Sequence, residues 1–117
     1  MGKPVVHWEI TARDASRLEN FYHELFDWSV RSDAPVQLRH AIDTGSAEGI
    51  PGSLAESGGS WPSGALFYVQ VDDVKEYLLR AEQLGASTLL PATEVDGDRM
   101  IGIFRDPEGV TVGLMQR

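Results

Sequence analysis

The chain has 117 residues with 18 acidic and 10 basic side chains, a formal net charge of −8, and no cysteine. This length predicts one domain, 1–117, which buries roughly two-thirds of its unfolded surface and needs no metal or disulfide to fold. The lack of thiols excludes a disulfide framework, a thiol nucleophile and a thiolate metal site. The acidic balance disfavours nucleic acid and anionic membrane surfaces and mildly favours cationic or neutral ligands. No apolar run is long enough for a membrane span or a signal peptide, so we expect a cytoplasmic protein without a membrane partner.

The first strand is predicted over Val5 to Thr11 from its period-2 alternation. One face carries Val5, His7, Glu9 and Thr11, and the other carries Val6, Trp8 and Ile10. Because neighbouring side chains of a strand point to opposite faces, Trp8 is expected in the core beneath the helix that follows. His7 and Glu9 are then left on the inner face.

A helix is predicted after Asp14, whose carboxylate suits an N-cap. Its apolar stripe, expected to cover Trp8, comprises Leu18, Phe21, Tyr22, Leu25 and Phe26. Strands are predicted over 28–31 and 36–43, with turn residues at 32–35 between them. The Gly-, Ser- and Pro-rich segment 57–64 indicates a linker loop, in which Trp61 is expected to act as a lid over a cleft or as an anchor in a dimer.

The second half repeats this order at an offset of 59 residues, which separates Asp14 from Asp73 and Leu25 from Leu84. A strand is predicted over 65–71, followed by a helix that Asp72 or Asp73 caps and Gly85 ends. Turn signals at 96–98 and 106–109 divide the rest into strands over 87–95, 99–104 and 110–115. The sequence thus predicts an α+β fold of two βαβββ modules, 1–56 and 65–117, joined by the linker 57–64.

Three stretches resemble the vicinal oxygen chelate superfamily, which includes glyoxalase I, extradiol dioxygenases, methylmalonyl-coenzyme A epimerase and bleomycin-resistance proteins. They are HWEITARDASRLENFYHELFDW (7–28), YVQVDDVKEYLLRAEQLGA (68–86) and FRDPEGVTVGL (104–114). The resemblance implies paired βαβββ modules whose curved mixed sheets surround a central cleft, and a homodimer. It leaves the activity open, because this fold carries unrelated chemistries.

The resemblance also implies where a metal would bind, which is on the first and last strand of each module, through His or Gln and Glu. Those positions fall here at His7, Ser53 (or Gly52), Leu66 and Gly113, so His7 is the only one that matches a ligand. A divalent ion needs several nitrogen or oxygen donors to replace its hydration. We therefore expect no metal and no cofactor, with a non-standard metal site of His7, Glu9 and Tyr68 as the alternative.

Strand alternation supplies the remaining candidate site residues. The candidate acid–base groups are His7, Glu9 and Tyr68, since an imidazole or a carboxylate in a partly desolvated cleft can transfer a proton. The residues expected to line the same cleft and contact a ligand are Thr11, Ser53, Gln70, Thr111, Gly113 and Met115. The small residues Ser53 and Gly113 are expected to leave room for an organic molecule or for water.

Two principal hypotheses follow for the function. The first is metal-free binding of a small organic molecule, a cationic one among the candidates, similar to the bleomycin-resistance branch. The second is a glyoxalase-like lyase or isomerase that uses His7, Glu9 or Tyr68 as acid or base. A metal-dependent glyoxalase-type enzyme, which the count of ligands disfavours, and a module that binds a protein partner are further alternatives.

Overall fold

The computed structural model describes residues 2–31, 39–59, 61–95 and 97–116. The first half contains β1 (Val5–Ala12), α1 (Ala15–Phe26), β2 (Ser29–Val30), β3 (Arg39–Asp43) and β4 (Gly52–Glu56). The second half contains β5 (Gly64–Gln70), α2 (Val74–Gln83), β6 (Ser87–Val95), β7 (Arg99–Arg105) and β8 (Thr111–Gln116). The chain is therefore α+β, with the predicted order of strand, helix and three strands occurring twice. Neither described helix is long and apolar enough to cross a membrane.

The chain divides into two compact units. The first unit is His7–Ala65, and the second is Met1–Val6 together with Leu66–Arg117. In the first unit the strand order is β2-β3-β4-β1, where β4 pairs parallel with β1 and antiparallel with β3. In the second unit the order is β6-β7-β8-β5, where β8 pairs parallel with β5 and antiparallel with β7. Each unit is thus a mixed sheet with one helix, and the predicted linker 57–64 belongs to the first unit.

The helix ends follow the predicted capping residues. Asp14 accepts the backbone N–H of Arg17 at 3.2 Å at the start of α1, and Asp73 accepts that of Glu76 at 3.2 Å at the start of α2. Gly85 follows α2 with φ of +105°, a left-handed conformation that suits glycine. The cap hydrogen bonds satisfy donors that the first turn of a helix leaves without partners.

The two predicted turns of the second unit join its strands. Val95 and Arg99 pair across the β6–β7 hairpin, while Asp96 lies outside the described residues. In the turn before β8, the Asp106 carboxylate accepts the backbone N–H groups of Glu108 and Val110, both at 2.9 Å. The predicted turn residues 32–35 and the first three residues of the predicted strand 36–43 also lie outside the described part, and β3 begins at Arg39.

Trp8 lies on the helix side of the first sheet, but Phe21 and Leu25 of the predicted apolar stripe are largely exposed rather than buried on it. Those two side chains are 53% and 58% exposed. The Trp8 ring instead lies 5.4 Å from the Trp28 ring, which is itself 5.3 Å from Tyr22. The cause is the end of α1, where Asp27 adopts a left-handed conformation with φ of +61° and the chain brings Trp28 back against the helix.

The core of the second unit lies between α2 and its sheet. Its buried members are Val71, Val74, Leu78 and Leu114. Gly102 on β7 allows this close approach, because a Cβ atom there would lie 2.9 Å from side-chain atoms of both Leu78 and Val74. Tyr77, Phe104 and Val69 pack against the edge of this core and remain partly exposed.

Candidate ligand site

The carboxylate of Glu9 is buried within the first unit, where its side chain is 0% exposed. Glu9 on β1 lies opposite Ser53 on the parallel strand β4, and the Ser53 hydroxyl donates to Glu9 Oε2 at 2.9 Å. The indole Nε1–H of Trp61 donates to the other oxygen, Oε1, at 3.0 Å. A carboxylate withdrawn from water needs such donors, because an uncompensated buried charge is very costly.

His7 extends this network through Ser53, whose Oγ lies 2.9 Å from His7 Nε2. The Ser53 hydroxyl has one proton, and an ionised carboxylate can only accept. When Glu9 is ionised, Ser53 therefore donates to Glu9, and His7 Nε2 carries the proton that Ser53 accepts. When Glu9 is protonated, both donor–acceptor directions can reverse, so the chain His7–Ser53–Glu9 has two complementary proton arrangements.

This order of groups differs from that of a nucleophilic triad. In a Ser-His-Asp triad the imidazole stands between the hydroxyl and the carboxylate and takes the hydroxyl proton. Here the hydroxyl of Ser53 stands in the middle and joins the two ionisable groups. In this arrangement the Ser53 hydroxyl orients the His7 imidazole and transmits the effect of the Glu9 charge to that ring. Ser53 itself is not activated as a nucleophile.

Trp61 reaches Glu9 because the segment predicted as a linker is a hydrogen-bonded loop. Gly58 and Trp61 exchange two backbone hydrogen bonds of 3.0 and 2.9 Å, and Ser57 donates its backbone N–H to Ala12 at 2.9 Å. The hydroxyl of Thr11 donates to the Pro62 carbonyl oxygen on the other side of the loop. Thr11, predicted to contact a ligand, is 2% exposed and holds this loop on β1.

In the second unit, Tyr68 and Gly113 occupy the positions that correspond to Glu9 and Ser53. Tyr68 is 0% exposed and lies opposite Gly113 on the parallel strand β8. A Cβ atom on Gly113 would lie 2.4 Å from the Tyr68 ring. The expectation of open room at Gly113 is therefore wrong, because the ring of the neighbouring strand packs directly on the glycine backbone.

The other predicted contact residues of the second unit lie on the same two strands. Gln70 on β5 is paired with Met115 on β8, and Thr111 begins β8 opposite Arg105. Met115 is buried, whereas Gln70 and Thr111 are partly exposed. The structure thus joins His7, Glu9 and Ser53 by hydrogen bonds within the first unit, and it pairs Tyr68 with Gly113 and Gln70 with Met115 within the second.

His40 lies on the other face of the first sheet. It pairs with Leu54, which in turn pairs with Ile10, so it faces the same side as Trp8 rather than that of Glu9. Among the described residues its buried Nδ1 atom has no hydrogen-bond partner. This placement separates His40 from the His7–Ser53–Glu9 chain.

The residues at the four positions implied for a metal do not fit a divalent ion. Leu66 and Gly113 have no donor atom in their side chains, and the Tyr68 ring occupies the space beside Gly113. The Ser53 hydroxyl is engaged between His7 and Glu9. Within the described ranges, no group of three or more His, Cys, Asp or Glu side chains is placed to hold a metal ion.

A family model describes the chain over most of its length. The model of the Glyoxalase/Bleomycin resistance protein/Dioxygenase superfamily matches residues 5–114. The chain therefore belongs to this superfamily, which is the one that the sequence resemblance indicated. No curated protein sequence matches the chain significantly.

Solved structures with the same fold include several distant relatives. A glyoxalase/bleomycin resistance protein/dioxygenase superfamily member from Vibrio splendidus 12B01 is 16% identical, with 99% of this chain and 100% of that chain covered and a TM-score of 0.63. The methylmalonyl-CoA epimerase from Mycobacterium tuberculosis is 14% identical, with coverage of 96% and 86% and a TM-score of 0.62. A Legionella pneumophila structure described as NAD-dependent benzaldehyde dehydrogenase is 16% identical, with coverage of 94% and 96% and a TM-score of 0.65. At these identities the likeness establishes the fold.

Proposed function

We propose that this protein binds a small organic molecule, without a metal ion, at the face of β1 and β4 that carries Glu9, Ser53 and His7. The observation that carries the proposal is the buried Glu9 carboxylate, one oxygen of which is covered by an indole from a surface loop. Trp61 is partly exposed, so its displacement would open a path to Oε1. The loop then acts as the lid of the site.

A ligand with a cationic N–H group suits this site best. It would replace the neutral indole donor on Oε1 by a charged one, and charge-assisted hydrogen bonds are roughly twice as strong as neutral ones. Ser53 would keep its hydrogen bond to Oε2, and His7 would remain at the partly exposed end of the chain for a further polar contact. The net charge of −8 favours the approach of a cation as well.

A pair of matched probes tests this function. Benzamidine carries an amidinium group, and benzamide is its uncharged near-isostere. We expect titration calorimetry to show tighter binding of benzamidine, and Glu9→Gln to weaken it about 10- to 100-fold, which corresponds to roughly 1–3 kcal/mol for a lost charged hydrogen bond. The affinity for benzamide should change little in Glu9→Gln. The variant Glu48→Gln, which alters an exposed carboxylate, should bind benzamidine as tightly as the wild type does. Equal benzamidine affinities for wild type and Glu9→Gln would remove Glu9 from the site.

The His7–Ser53–Glu9 chain favours acid–base catalysis as the second candidate function. An imidazole joined to a carboxylate through a hydroxyl can take up a proton while the carboxylate compensates the charge that forms. Structures described as methylmalonyl-CoA epimerase share the fold, so proton abstraction next to a thioester carbonyl is the reaction to try first. Deuterium uptake from D2O into methylmalonyl-CoA, lost in His7→Asn, would support it. No uptake above the uncatalysed rate would reject this substrate class.

We propose a homodimer, as the family resemblance implies, and a cytoplasmic location. Light scattering at micromolar concentration should give twice the chain mass of 12.9 kDa, and a monomer mass would refute the dimer.

A further inference from the structure

A cavity lies within the second unit, between α2 and its sheet. Its volume is about 240 Å³. The wall is formed mainly by apolar side chains, among them Val69, Tyr77, Leu84, Phe104 and Val112. The described residues that line it all belong to the second unit, whereas Glu9, Ser53 and His7 belong to the first.

Two cationic side chains also line this cavity. Lys3 approaches from the N-terminal segment, and Arg80 comes from α2. The Arg80 guanidinium carbon lies 4.9 Å from the centre of the Tyr77 ring, a cation–π contact that holds the guanidinium beside the aromatic wall. Among the described residues that line the cavity none is acidic, although acidic residues outnumber basic ones in the chain by 18 to 10. The cavity therefore combines an apolar interior with a local positive charge.

We propose that this cavity is a binding site for a small aromatic carboxylate. An apolar cavity of about 150 Å³ is already large enough for benzene, so 240 Å³ can take one ring with a short acidic arm. The ring packs between Tyr77 and Phe104, and the carboxylate pairs with the planar guanidinium of Arg80, which suits its geometry. Lys3 adds a second positive charge at the same site.

Phenylacetate, 2-phenylethanol and 2-phenylethylamine form a matched set of probes, because they share the ring and differ in the charge of the arm. Titrations followed by ¹H–¹⁵N NMR should give saturable shifts at the amides of Val69, Val112 and Leu84. We expect phenylacetate to bind about tenfold more tightly than 2-phenylethanol, and 2-phenylethylamine to bind least tightly at these residues. The ratio of the affinity for phenylacetate to that for 2-phenylethanol should fall several-fold in Arg80→Gln. It should stay the same in Lys75→Gln, which removes a positive charge from α2 outside the cavity.

Ala81→Phe, which fills the cavity, should abolish the shifts caused by all three probes. Should this variant fail to fold, Arg80→Gln decides the question, because Arg80 is exposed and its replacement leaves the core intact. The proposal is overturned if phenylacetate causes no saturable shift up to about 10 mM, a weak limit for a ligand of this size. It is also overturned if phenylacetate binds no more tightly than 2-phenylethanol, or if its shifts occur at Glu9 and Ser53 instead of at the cavity.

Discussion

Trp61 and Glu9 are joined by a hydrogen bond between an indole of the loop 57–63 and a carboxylate buried on β1, with 3.0 Å between Nε1 and Oε1. The two residues are 52 positions apart in the chain. The bond couples the conformation of the loop to the state of Glu9. A change in the hydrogen bonding of the Glu9 carboxylate should therefore change the conformation of the loop. Likewise, a movement of the loop should change the hydrogen bonding of Glu9.

Trp61→Phe removes the indole donor and keeps an aromatic ring. We expect a loss of about 1–3 kcal/mol in the free energy of unfolding, because a buried carboxylate oxygen loses a hydrogen bond. Urea unfolding of the wild type, Trp61→Phe, Glu9→Gln and the double variant measures this loss and the coupling between the two side chains. In the Glu9→Gln background the same substitution should cost clearly less. Strictly additive effects would show that the two side chains do not interact in solution.

Ser53→Ala should separate His7 from Glu9 and should destabilise the protein by about 1–3 kcal/mol, because Ser53 is buried and donates to a carboxylate. The control is Ser63→Ala, which removes an exposed hydroxyl of the loop and should cost less than about 0.5 kcal/mol. Imidazole ¹⁵N NMR supplies the specific readout. At neutral pH the wild type should carry a proton on His7 Nε2, and this preference should weaken in Ser53→Ala. An unchanged tautomer would contradict the hydrogen-bonded chain.

Gly113→Ala should destabilise the second unit, because the added Cβ would lie 2.4 Å from the Tyr68 ring. Overpacking of this kind typically costs about 1–3 kcal/mol. Gly2→Ala is the matched control, since a Cβ at position 2 meets nothing within 4 Å. Thermal unfolding should show a clearly lower melting temperature for Gly113→Ala and an unchanged one for Gly2→Ala. In a Tyr68→Leu background the cost of Gly113→Ala should shrink, and an undiminished cost would mean that the ring is not the obstacle.

The N-cap of α1 predicts a dependence of stability on acid pH. The Ser16 hydroxyl and, with a smaller effect, the backbone N–H of Arg17 donate hydrogen bonds to the Asp14 carboxylate. These bonds hold the pKa of that carboxyl below its usual value. A depressed pKa in the folded state means that Asp14 stabilises the fold above the unfolded-state pKa of about 3.9, and that this contribution is lost as pH falls through the lower folded value.

Thermal unfolding of Asp14→Ala and of Asp98→Asn, an exposed turn carboxylate, measures this effect. The difference in melting temperature between the wild type and Asp14→Ala should be largest near pH 6 and should become smaller below about pH 3.9. The Asp98→Asn protein should stay close to the wild type throughout. A gap that does not change with pH would show that the charge of Asp14 contributes nothing to the cap.

Much of the fold could be predicted from local signals in the sequence. The alternation of β1 placed Trp8 and Glu9 on opposite faces, because this effect acts over a few residues. The capping residue Asp14 marked the start of α1, and Asp72 or Asp73 marked that of α2, where the structure shows Asp73 as the cap. The partner of Trp8 could not be predicted in this way. It depends on the left-handed conformation of Asp27, which a non-glycine residue adopts only occasionally.

The candidate site was predictable only in part. Strand alternation predicted that Glu9, Ser53, Tyr68 and Gly113 line a cleft, but it did not predict which of them are neighbours. The strand register pairs Glu9 with Ser53 and Tyr68 with Gly113. The hydrogen bond from Trp61 to Glu9 could not be derived, because loop geometry depends on backbone bonds such as that between Gly58 and Trp61. The packing at Gly113 could not be predicted either, because the sequence does not show whether the space beside a glycine is open or, as here, filled by the ring of a neighbouring strand.

The Trp61 indole resonance reports directly whether a cationic ligand displaces the loop 57–63 from Glu9, as we propose. Its Nε1–H signal can be followed in ¹H–¹⁵N spectra during titration with benzamidine, with Trp61→Phe used to assign it among the three tryptophans. We predict a saturable shift with benzamidine, a much smaller one with benzamide, and, in Glu9→Gln, a shift with benzamidine that needs about 10- to 100-fold more ligand to saturate. A Trp61 signal that stays unmoved while benzamidine binds, or that moves equally in Glu9→Gln, would contradict the claim.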